Sequence, residues 1–272
     1  MVTTQPEATG HAVIVNGLSL YTQRRPGAAT PPLLLIHGLG GSLESWRPLL
    51  AEMPGRDVVM IDSPGAGRSA VPALPIRIPA IADRIAAAAR ALGVEQADVL
   101  GNSHGGLVAQ EVTRRHPALV RRLILVGTTM GIPAIPGRLK VQLALLSNKR
   151  HQDRAAAERD LPLVVGGRTA RDPDVLAAML ADRAAHPPSR LGYRYQQAAV
   201  IGWSSYLWLP QLRVPTLVLH GEDDPAVPVA NARMIARRIP GAELETIPGA
   251  GHLLLFDEPG KTAPILERFL AR

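Results

Sequence analysis

Short apolar runs alternate with longer segments of helical periodicity, and this alternation constrains the fold more than any other feature of the chain. The runs predicted to be buried strands are Leu33–Ile36, Val58–Ile61, Ala97–Leu100, Leu123–Val126 and Thr216–Leu219. The segments predicted to be helices between them are Leu43–Met53, Ile78–Leu92 and His104–His116. Strands that are apolar throughout need cover on both faces, so the pattern predicts an α/β fold with a mostly parallel, doubly wound sheet.

Two stretches of the chain depart from this alternation. The segment HAVIVNGLSLYTQ alternates with period two around an Asn-Gly pair at residues 16–17, which predicts an antiparallel hairpin. From residue 131 to 210 no run is strand-like, and helical patches such as VQLALLSNKR and PDVLAAMLADRAA dominate. We therefore predict a core of residues 1–130 and 211–272, with a helical lid inserted after the sixth strand. Such a lid would cover the carboxyl ends of the strands, where open parallel sheets bind ligands.

The chain is basic, with a formal net charge of +7 over 272 residues. Clustered Lys and Arg would neutralise nucleic-acid phosphates, but lysine is rare here and the arginines are spread through alanine-rich amphipathic segments. Aromatic residues, at 3%, leave few rings for base stacking, so we expect no nucleic-acid partner. One basic concentration, from Asn148 to Asp160, is predicted to be a solvated helix face or to contact an anionic or granule surface.

The sequence carries no pattern typical of a membrane span, a metal site or a nucleotide site. Its apolar runs are far shorter than the roughly 20 residues that cross a bilayer, and the opening MVTTQPEATG does not resemble a signal peptide. There is no cysteine, and no pair of histidines has metal-ligand spacing. The PGAGRS segment lacks the Lys-Ser/Thr that completes a phosphate loop. We expect a cytoplasmic protein with no transmembrane segment, no metal and no cofactor.

A serine lies in a glycine-rich turn between a predicted strand and a predicted helix. The segment GNSHG, from Gly101 to Gly105, fits the G-x-S-x-G pattern of a nucleophile elbow in the structural context that this motif requires. Such a sharp turn lifts the serine hydroxyl above the sheet, and glycines are needed where side chains would collide with neighbouring backbone. The pattern favours Ser103 as a nucleophile. The alternative for the pentapeptide alone is a glycine-rich turn with an incidental serine.

Two later segments supply the groups that a serine nucleophile needs. A serine hydroxyl is a poor nucleophile at neutral pH, so a base must take its proton and a carboxylate must orient that base. The segment LVLHGEDDPAVP follows a late strand, and IPGAGHLLLFDEP precedes the last helix. We assign Asp224 as the acid and His252 as the base, in the order Ser, Asp, His. Glu222 and Asp223 are the competing carboxylates.

The segment LLLIHGLGGSLESW predicts the second half of an oxyanion hole. Glycines after the strand allow backbone amides to approach a developing oxyanion, and we expect the amide of Leu39 to act with that of His104. The side chain of His37 is predicted to brace this loop without a catalytic role. Gly38, Trp46 and His104 are predicted to contact the substrate.

Other polar residues are assigned structural roles. Ser42 is predicted to cap the helix that follows it, and Asp62 to hold the turn after its strand through backbone hydrogen bonds. Several histidines show no partner pattern in the sequence. They are His11, His116, His151, His186 and His220.

These motifs together resemble the α/β-hydrolase superfamily, and the resemblance runs from about Val13 to Leu270. Within the superfamily the chain is most similar to the intracellular medium-chain-length polyhydroxyalkanoate depolymerase group. The segments that carry this likeness are GGRTARDPDVLAAML, GYRYQQAAVIGWSSYLWLPQLRVPTLVLHGEDDPAVP and ARRIPGAEL. They lie mostly in the predicted lid and its exit, where branches of the superfamily differ most.

The resemblance implies a serine esterase that cleaves 3-hydroxyalkanoate esters, with Ser103, Asp224 and His252 as nucleophile, acid and base. The chain departs from the group's pattern at two places beside the reacting carbonyl. His104 stands where the group has tryptophan, and His37-Gly38 stands where it has Asn-Gly. Both changes leave the ester chemistry in place and bear on the choice between polymer and small ester.

The predicted reaction is hydrolysis of a carboxylic ester, either a small molecule or a polyester, through an acyl-enzyme. One alternative is a carbon–carbon bond or other small-molecule hydrolase with the same triad. Another is a non-catalytic ligand-binding relative, which an intact triad disfavours. Serine at the elbow argues against epoxide hydrolase and haloalkane dehalogenase activities, which use aspartate at this position.

Overall fold

The fold is built on one eight-stranded sheet, and the computed structural model describes residues 9–147, 149–151 and 153–272. The strand order is β1-β2-β4-β3-β5-β6-β7-β8, with β1–β2 and β2–β4 antiparallel and the other pairs parallel. The strands are β1 (Thr9–Val15), β2 (Leu18–Arg25), β3 (Ala29–Ile36), β4 (Arg56–Ile61), β5 (Ala97–Asn102), β6 (Val120–Val126), β7 (Thr216–Gly221) and β8 (Glu243–Ile247).

Ten α-helices accompany the sheet in the described part of the chain. They are α1 (Arg47–Ala51), α2 (Ile78–Ala91), α3 (His104–Arg115), α4 (Leu139–Leu146), α5 (Arg154–Val165), α6 (Pro173–Ala185), α7 (Arg190–Val200), α8 (Ala230–Arg238), α9 (Leu254–Asp257) and α10 (Pro259–Leu270). None of the helices in this part is long and apolar enough to cross a membrane. The prediction that the opening MVTTQPEATG is not a signal peptide falls mostly on residues 1–8, which lie outside the described residues.

The prediction of a mostly parallel, doubly wound sheet is confirmed. Alternate side chains of β3 enter two separate apolar clusters: Leu34 and Ile36 pack with α2 and α3, whereas Leu33 and Leu35 pack with α1 and α10. Every residue of β4, β5 and β7 is buried, which explains why these strands are apolar without alternation. Asn16 and Gly17 have φ of 48° and 74°, the left-handed conformations that a two-residue hairpin turn requires.

The predicted helix Leu43–Met53 is split into two pieces. A 3₁₀ turn covers Leu43–Trp46, and α1 begins only at Arg47. Pro48 lies in the first turn of α1 and has no N–H, so it cannot continue the hydrogen-bond ladder of a helix begun at Leu43. Ser42 occupies the N-cap position without a side-chain capping bond, and the carboxylate of Asp62 instead accepts the amide of Leu43 at 3.0 Å.

A helical insertion after the sixth strand is confirmed, because α4, α5, α6 and α7 all lie between β6 and β7. We call residues 131–210 the insert. Its described residues form helices and turns, with one isolated β-bridge between Gly131 and Ser204 where the chain leaves and re-enters the sheet region. A small apolar cluster joins α4, α5 and α6 through Val141, Leu161 and Met179. The insert therefore has packing of its own in addition to its contacts with the sheet.

Helix α7 holds the insert against the loop that follows β4. A Cβ atom at Gly192 would lie 2.8 Å from the carbonyl carbon of Gly65, so the two backbones touch without room for a side chain. One turn later on α7, the Gln196 side chain donates to the carbonyl of Pro64 at 3.2 Å. These contacts fix the height of the insert above the carboxyl ends of the strands.

The close approach of α7 generates a prediction for Gly192→Ala. The added methyl group must push α7 away from Gly65, and overpacking of this kind costs about 1–3 kcal/mol of unfolding free energy. Chemical denaturation measures that loss, and amide hydrogen exchange should show faster exchange across α7. Gly260→Ala is the matched control, since a Cβ atom there meets nothing within 4 Å. Equal stability of the two variants would contradict the packing argument.

Candidate active site

Ser103 lies in the turn between β5 and α3 in a strained backbone conformation. Its φ of 53° and ψ of −118° are unusual for a residue with a side chain and cost on the order of 1–3 kcal/mol. The turn is held on both sides, because the Ser103 amide donates to the Val126 carbonyl at 2.8 Å and the Thr128 hydroxyl donates to the Ser103 carbonyl at 2.7 Å. The strand-turn-helix context predicted for GNSHG is therefore present.

The two glycines of the pentapeptide are required by close packing. A Cβ atom at Gly101 would lie 2.7 Å from the Cβ of Ala109, and one at Gly105 would lie 2.6 Å from the carbonyl oxygen of His37. Both distances are too short for real Cβ contacts, so any side chain would force α3 away from β3 and β5. The glycines thus set how closely the helix that begins after Ser103 approaches the sheet.

The structure brings Ser103, His252 and Asp224 into one hydrogen-bonded chain. His252 Nε2 lies 2.9 Å from Ser103 Oγ, and His252 Nδ1 lies 2.7 Å from Asp224 Oδ2. Asp224 follows β7, and His252 lies in the loop between β8 and α9. The His252 amide also donates to the carbonyl of Val165, at the end of α5, at 2.7 Å, so the insert helps to position the histidine. This is the geometry that a serine nucleophile and its base require.

Asp224 is buried and ionised. Burial alone would raise the pKa of its carboxyl, but the charge of His252 and hydrogen bonds from His220 and His252 outweigh burial and lower this pKa to about 2. The other carboxylate oxygen accepts the amides of Ala226 and Val227 at 2.9 and 2.8 Å. A carboxylate held in this way keeps its charge at neutral pH and can stabilise a protonated histidine.

The two competing carboxylates, Glu222 and Asp223, have other partners. Glu222 accepts the Thr246 hydroxyl at 2.7 Å, and Asp223 faces Arg171 at 3.5 Å with 54% of its side chain exposed. Among these three neighbouring carboxylates, it is Asp224 whose oxygen hydrogen-bonds His252.

His220 is a site residue that sequence reasoning missed. Its Nε2 lies 3.4 Å from Asp224 Oδ2 and 2.8 Å from the Val227 carbonyl, so it packs on the acid from the end of β7. The only signal in the sequence was its position four residues before Asp224. Two other histidines without a partner pattern in the sequence also have neighbours of this kind: His116 lies 2.9 Å from Asp83, and the His151 ring lies 4.7 Å from the tilted Tyr193 ring.

The loop after β3 approaches the serine closely. A Cβ atom at Gly38 would lie 3.2 Å from the Ser103 Cβ, and Leu39 and His104 line the same cavity as Ser103. The amide of His104 is the first of α3 and has no acceptor within the helix. Leu39 and His104 therefore both belong to the wall of the cavity around Ser103, and the oxyanion hole expected from their amides stays a prediction.

The bracing roles predicted for His37 and Asp62 are confirmed. His37 Nε2 accepts the Ser63 amide at 3.0 Å, which leaves Nδ1–H to donate to the Gly38 carbonyl at 2.8 Å. Asp62 accepts the amide of Arg68 at 2.9 Å. The two residues join the loops after β3 and β4 into one unit.

Gln196 holds the tip of the same loop and was not anticipated from the sequence. Its side-chain oxygen accepts the Gly40 amide at 3.0 Å, while its side-chain nitrogen donates to Pro64. The Tyr193 ring lies so close that a Cβ atom at Gly40 would be 2.9 Å from it. Both residues belong to α7, so the insert fixes the loop that carries the Leu39 amide.

A cavity of about 250 Å³ opens over Ser103, between the sheet and the insert. Gly38, Trp46 and His104, the predicted substrate contacts, all line it. Its apolar wall is formed by Leu107, Leu161, Val164, Met179, Leu253 and Phe256. Helix α6 adds Asp182 and Arg183, and His186 follows directly after its end. The cavity can enclose an apolar chain next to the serine and also offers charged groups.

His104 is buried and neutral. Burial, reinforced by interaction with His37, lowers the pKa of its ring to about 4. The backbone of Gln196 acts on this pKa in the opposite direction, although neither ring nitrogen makes a well-formed hydrogen bond within the described residues. The His104 side chain thus adds polarity but no charge beside the serine. No group of three or more His, Asp or Glu side chains in the described part of the chain is arranged to hold a metal ion.

Comparison with known proteins agrees with the fold. A family model described as the alpha/beta hydrolase fold matches residues 31–259. The chain is 36% identical over 260 residues to a poly(3-hydroxyalkanoate) depolymerase of Ectopseudomonas oleovorans, covering 95% of this chain and 91% of that one. It is 28% identical to a 2-hydroxymuconate semialdehyde hydrolase of Pseudomonas sp. strain CF600, covering 96% of this chain and 94% of the other.

A solved structure supports the same assignment. The enol-lactonase of Burkholderia xenovorans LB400 superposes with a TM-score of 0.82 and 26% identity, covering 96% of this chain and 100% of that one. Its likeness extends over the sheet and the insert together. The chain is therefore a hydrolase that belongs to the α/β-hydrolase family, as its nucleophile-elbow and lid motifs predict.

Proposed function

We propose that the protein is a serine esterase that hydrolyses carboxylic esters through an acyl-enzyme. The observation that carries this proposal is the continuous hydrogen-bonded chain from Ser103 Oγ through His252 to ionised Asp224, facing a largely apolar cavity. Its substrates are esters with an apolar acyl chain, and the depolymerase relative supports 3-hydroxyalkanoate units as the acyl group.

The first step forms the acyl-enzyme. His252 Nε2 takes the hydroxyl proton as Ser103 Oγ bonds to the ester carbonyl carbon, and Asp224 stabilises the imidazolium without accepting a proton. The amides of Leu39 and His104 donate to the resulting oxyanion. The tetrahedral intermediate then loses its ester C–O bond, and His252 gives the proton to the departing alcohol oxygen.

The second step releases the acid. A water molecule enters the space left by the alcohol, His252 takes one of its protons, and the water oxygen attacks the acyl carbon. A second oxyanion forms at the same two amides. It collapses to the carboxylic acid, and the proton on His252 returns to Ser103 Oγ. No cofactor is required for either step.

The insert acts as a lid in this proposal, over a hydrolase core of residues 1–130 and 211–272. The lid residues 131–210 supply much of the apolar cavity wall, and Gly38, Trp46 and His104 contact the substrate from the core side. The enclosed volume of about 250 Å³ suits a monomeric ester or the end of an oligomer. With His104 in place of the group's tryptophan, we favour small esters and oligomers over the bulk polymer.

Contact with a granule surface stays a prediction. Within the segment predicted to make it, Asn148 and Gln152 lie outside the described residues. Arg150 is buried and not on the surface, because its guanidinium bonds to backbone carbonyls at the end of α4. Arg154 and Arg159 are exposed but pair with Glu158 and Asp160, whereas Lys149 is exposed without an ion pair among the described residues.

A carbon–carbon bond hydrolase is the second candidate, favoured by the 28% identity to a 2-hydroxymuconate semialdehyde hydrolase over nearly the whole chain. The two functions share the elbow and the base, so substrate turnover separates them. The turnover rate should be measured on a panel of substrates. The panel contains p-nitrophenyl esters of increasing chain length, a 3-hydroxyalkanoate dimer, a polyester suspension and a dienol-type semialdehyde. Faster turnover of the semialdehyde than of every ester would overturn the esterase proposal.

Removal of the nucleophile provides the most direct test. Ser103→Ala should lower ester hydrolysis by a factor of at least about 10⁴, because no group then forms the acyl-enzyme. A fluorophosphonate probe should label the wild type and not this variant, which also tests the non-catalytic alternative. Ser19→Ala, on β2 away from the cavity, is the control and should retain activity and labelling. Labelling of Ser103→Ala at the wild-type rate would contradict the assignment.

The lowered pKa of Asp224 predicts a pH-dependent contribution to stability. The native pKa of about 2 lies below the value near 3.9 of an unfolded chain, so ionised Asp224 stabilises the fold above pH 4, and this contribution is lost as pH falls through 2. The shift corresponds to about 2–3 kcal/mol. Unfolding free energies of the wild type and Asp224→Asn should therefore converge between pH 4 and pH 2. Asp223→Asn, at the exposed neighbour, should show no such convergence.

The contact between Gln196 and Gly40 predicts a role in positioning the oxyanion loop. Gln196→Leu removes the acceptor of the Gly40 amide and should lower kcat about 10- to 100-fold while KM changes little, since the lost interaction serves the transition state. Gln197→Leu is the matched control, because its side chain bonds to Leu145 and not to the loop. A change confined to KM would contradict the positioning role.

A further inference from the structure

Two arginines of the insert form a cationic wall of the cavity. Arg183, on α6, and Arg150, before α5, both line the cavity that contains Ser103. Arg150 donates to the carbonyls of Ala144 and Ser147 at 2.5 and 2.8 Å and also to the Tyr193 hydroxyl. Its hydrogen bonds therefore go to neutral groups and leave its charge uncompensated.

Arg183 is unpaired. Within residues 9–147, 149–151 and 153–272, it makes no hydrogen bond or ion pair to a protein group. Burial, together with the charge of Arg150, lowers the pKa of Arg183 to about 10, so the guanidinium is still charged at neutral pH. Arg183 is only partly buried, and its guanidinium lines the cavity without a counter-ion from the described residues, so a ligand in the cavity can reach it.

The carboxylates near this wall are committed to other partners. Asp182, the neighbour of Arg183 on α6, pairs with Arg47 at 3.0 Å. Glu44 pairs with Arg68 at 2.8 Å and faces His186 at 3.5 Å. Among the described residues, neither Arg150 nor Arg183 has an ion pair, so the local positive charge is available to a ligand.

The cationic wall adjoins the oxyanion loop. Arg150 contacts Tyr193, and a Cβ atom at Gly40 would lie 2.9 Å from the Tyr193 ring and 3.1 Å from the ring of His151. His151 stays neutral, because burial and then the charges of Arg183 and Arg150 lower its pKa to about 2. The same continuous cavity thus presents an oxyanion hole at one wall and a free guanidinium at another.

We propose that Arg183, supported by Arg150, forms a carboxylate subsite, and that the preferred substrates are esters that also carry a free carboxylate. The planar guanidinium fork matches a carboxylate in charge and geometry. This inference rests on the proposed esterase function and narrows it. A 3-hydroxyalkanoate dimer or short oligomer fits, since its terminal carboxylate and its ester belong to one molecule that spans the cavity. The Arg183 contact then selects oligomer ends over neutral esters.

The test compares a 3-hydroxyalkanoate dimer as its free acid with the methyl ester of the same dimer. The wild type should show a higher kcat/KM for the acid. Arg183→Gln should lower the ratio of acid to methyl-ester kcat/KM at least tenfold, mainly through KM for the acid, and Arg183→Lys should keep part of it. Arg154→Gln, an exposed arginine on α5, is the matched control and should leave the ratio unchanged. An unchanged ratio in Arg183→Gln would overturn the subsite.

A binding measurement separates this inference from the proposed function. Calorimetry on Ser103→Ala should detect the free-acid dimer, with affinity at least tenfold weaker in the Ser103→Ala, Arg183→Gln double variant. Inorganic phosphate is the second arm, and phosphate binding stronger than dimer binding would overturn the carboxylate assignment. Binding of the acid through Arg183 without hydrolysis by the wild type would sustain the subsite and refute the esterase. Hydrolysis of both dimers with no effect of Arg183→Gln would sustain the esterase and refute the subsite.

Discussion

The close backbone packing around Ser103 is the constraint on which the rest of the site depends. Gly101 and Gly105 allow α3 to begin against β3 and β5, and this forces Ser103 into a positive φ that ordinary turns avoid. The strain is balanced by hydrogen bonds of the Ser103 amide and carbonyl to groups at the end of β6 and just beyond it. Since the sheet is buried on both faces, the turn cannot relax without moving a core helix.

The insert takes part in the site as well as covering it. It accepts the amide of His252 through the Val165 carbonyl and the amide of Gly40 through the Gln196 side chain. The base and the oxyanion loop are thus both tied to one helical layer, which Gly192 seats against the core. A displacement of that layer would therefore move both His252 and the loop after β3.

Charge is compensated unevenly across the cavity. Asp224 is buried with two amides and two histidines around it, an arrangement complete without a ligand. Arg183 is on the opposite layer with no protein partner among the described residues. Because His104 and His151 are neutral at pH 7, these two rings add no further positive charge to the cavity wall. The buried carboxylate of Asp224 is therefore compensated within the protein, whereas the Arg183 guanidinium faces the cavity without a counter-ion from the described residues.

The sequence by itself determined the α/β architecture, the helical insertion and the order in which Ser103, Asp224 and His252 occur. Local patterns of apolar periodicity, glycines and turn residues predict each of these features. The sequence did not determine the break at Pro48 within the predicted first helix, where one missing N–H overrode apolar periodicity. Only the tertiary structure decided which insert residues reach the site. Gln196 is 156 residues from Gly40 in the sequence. The role inferred for Arg183 rests on its place in the cavity wall and on its lack of an ion pair among the described residues. Such roles depend on how layers distant in sequence pack together, and no local pattern records that packing.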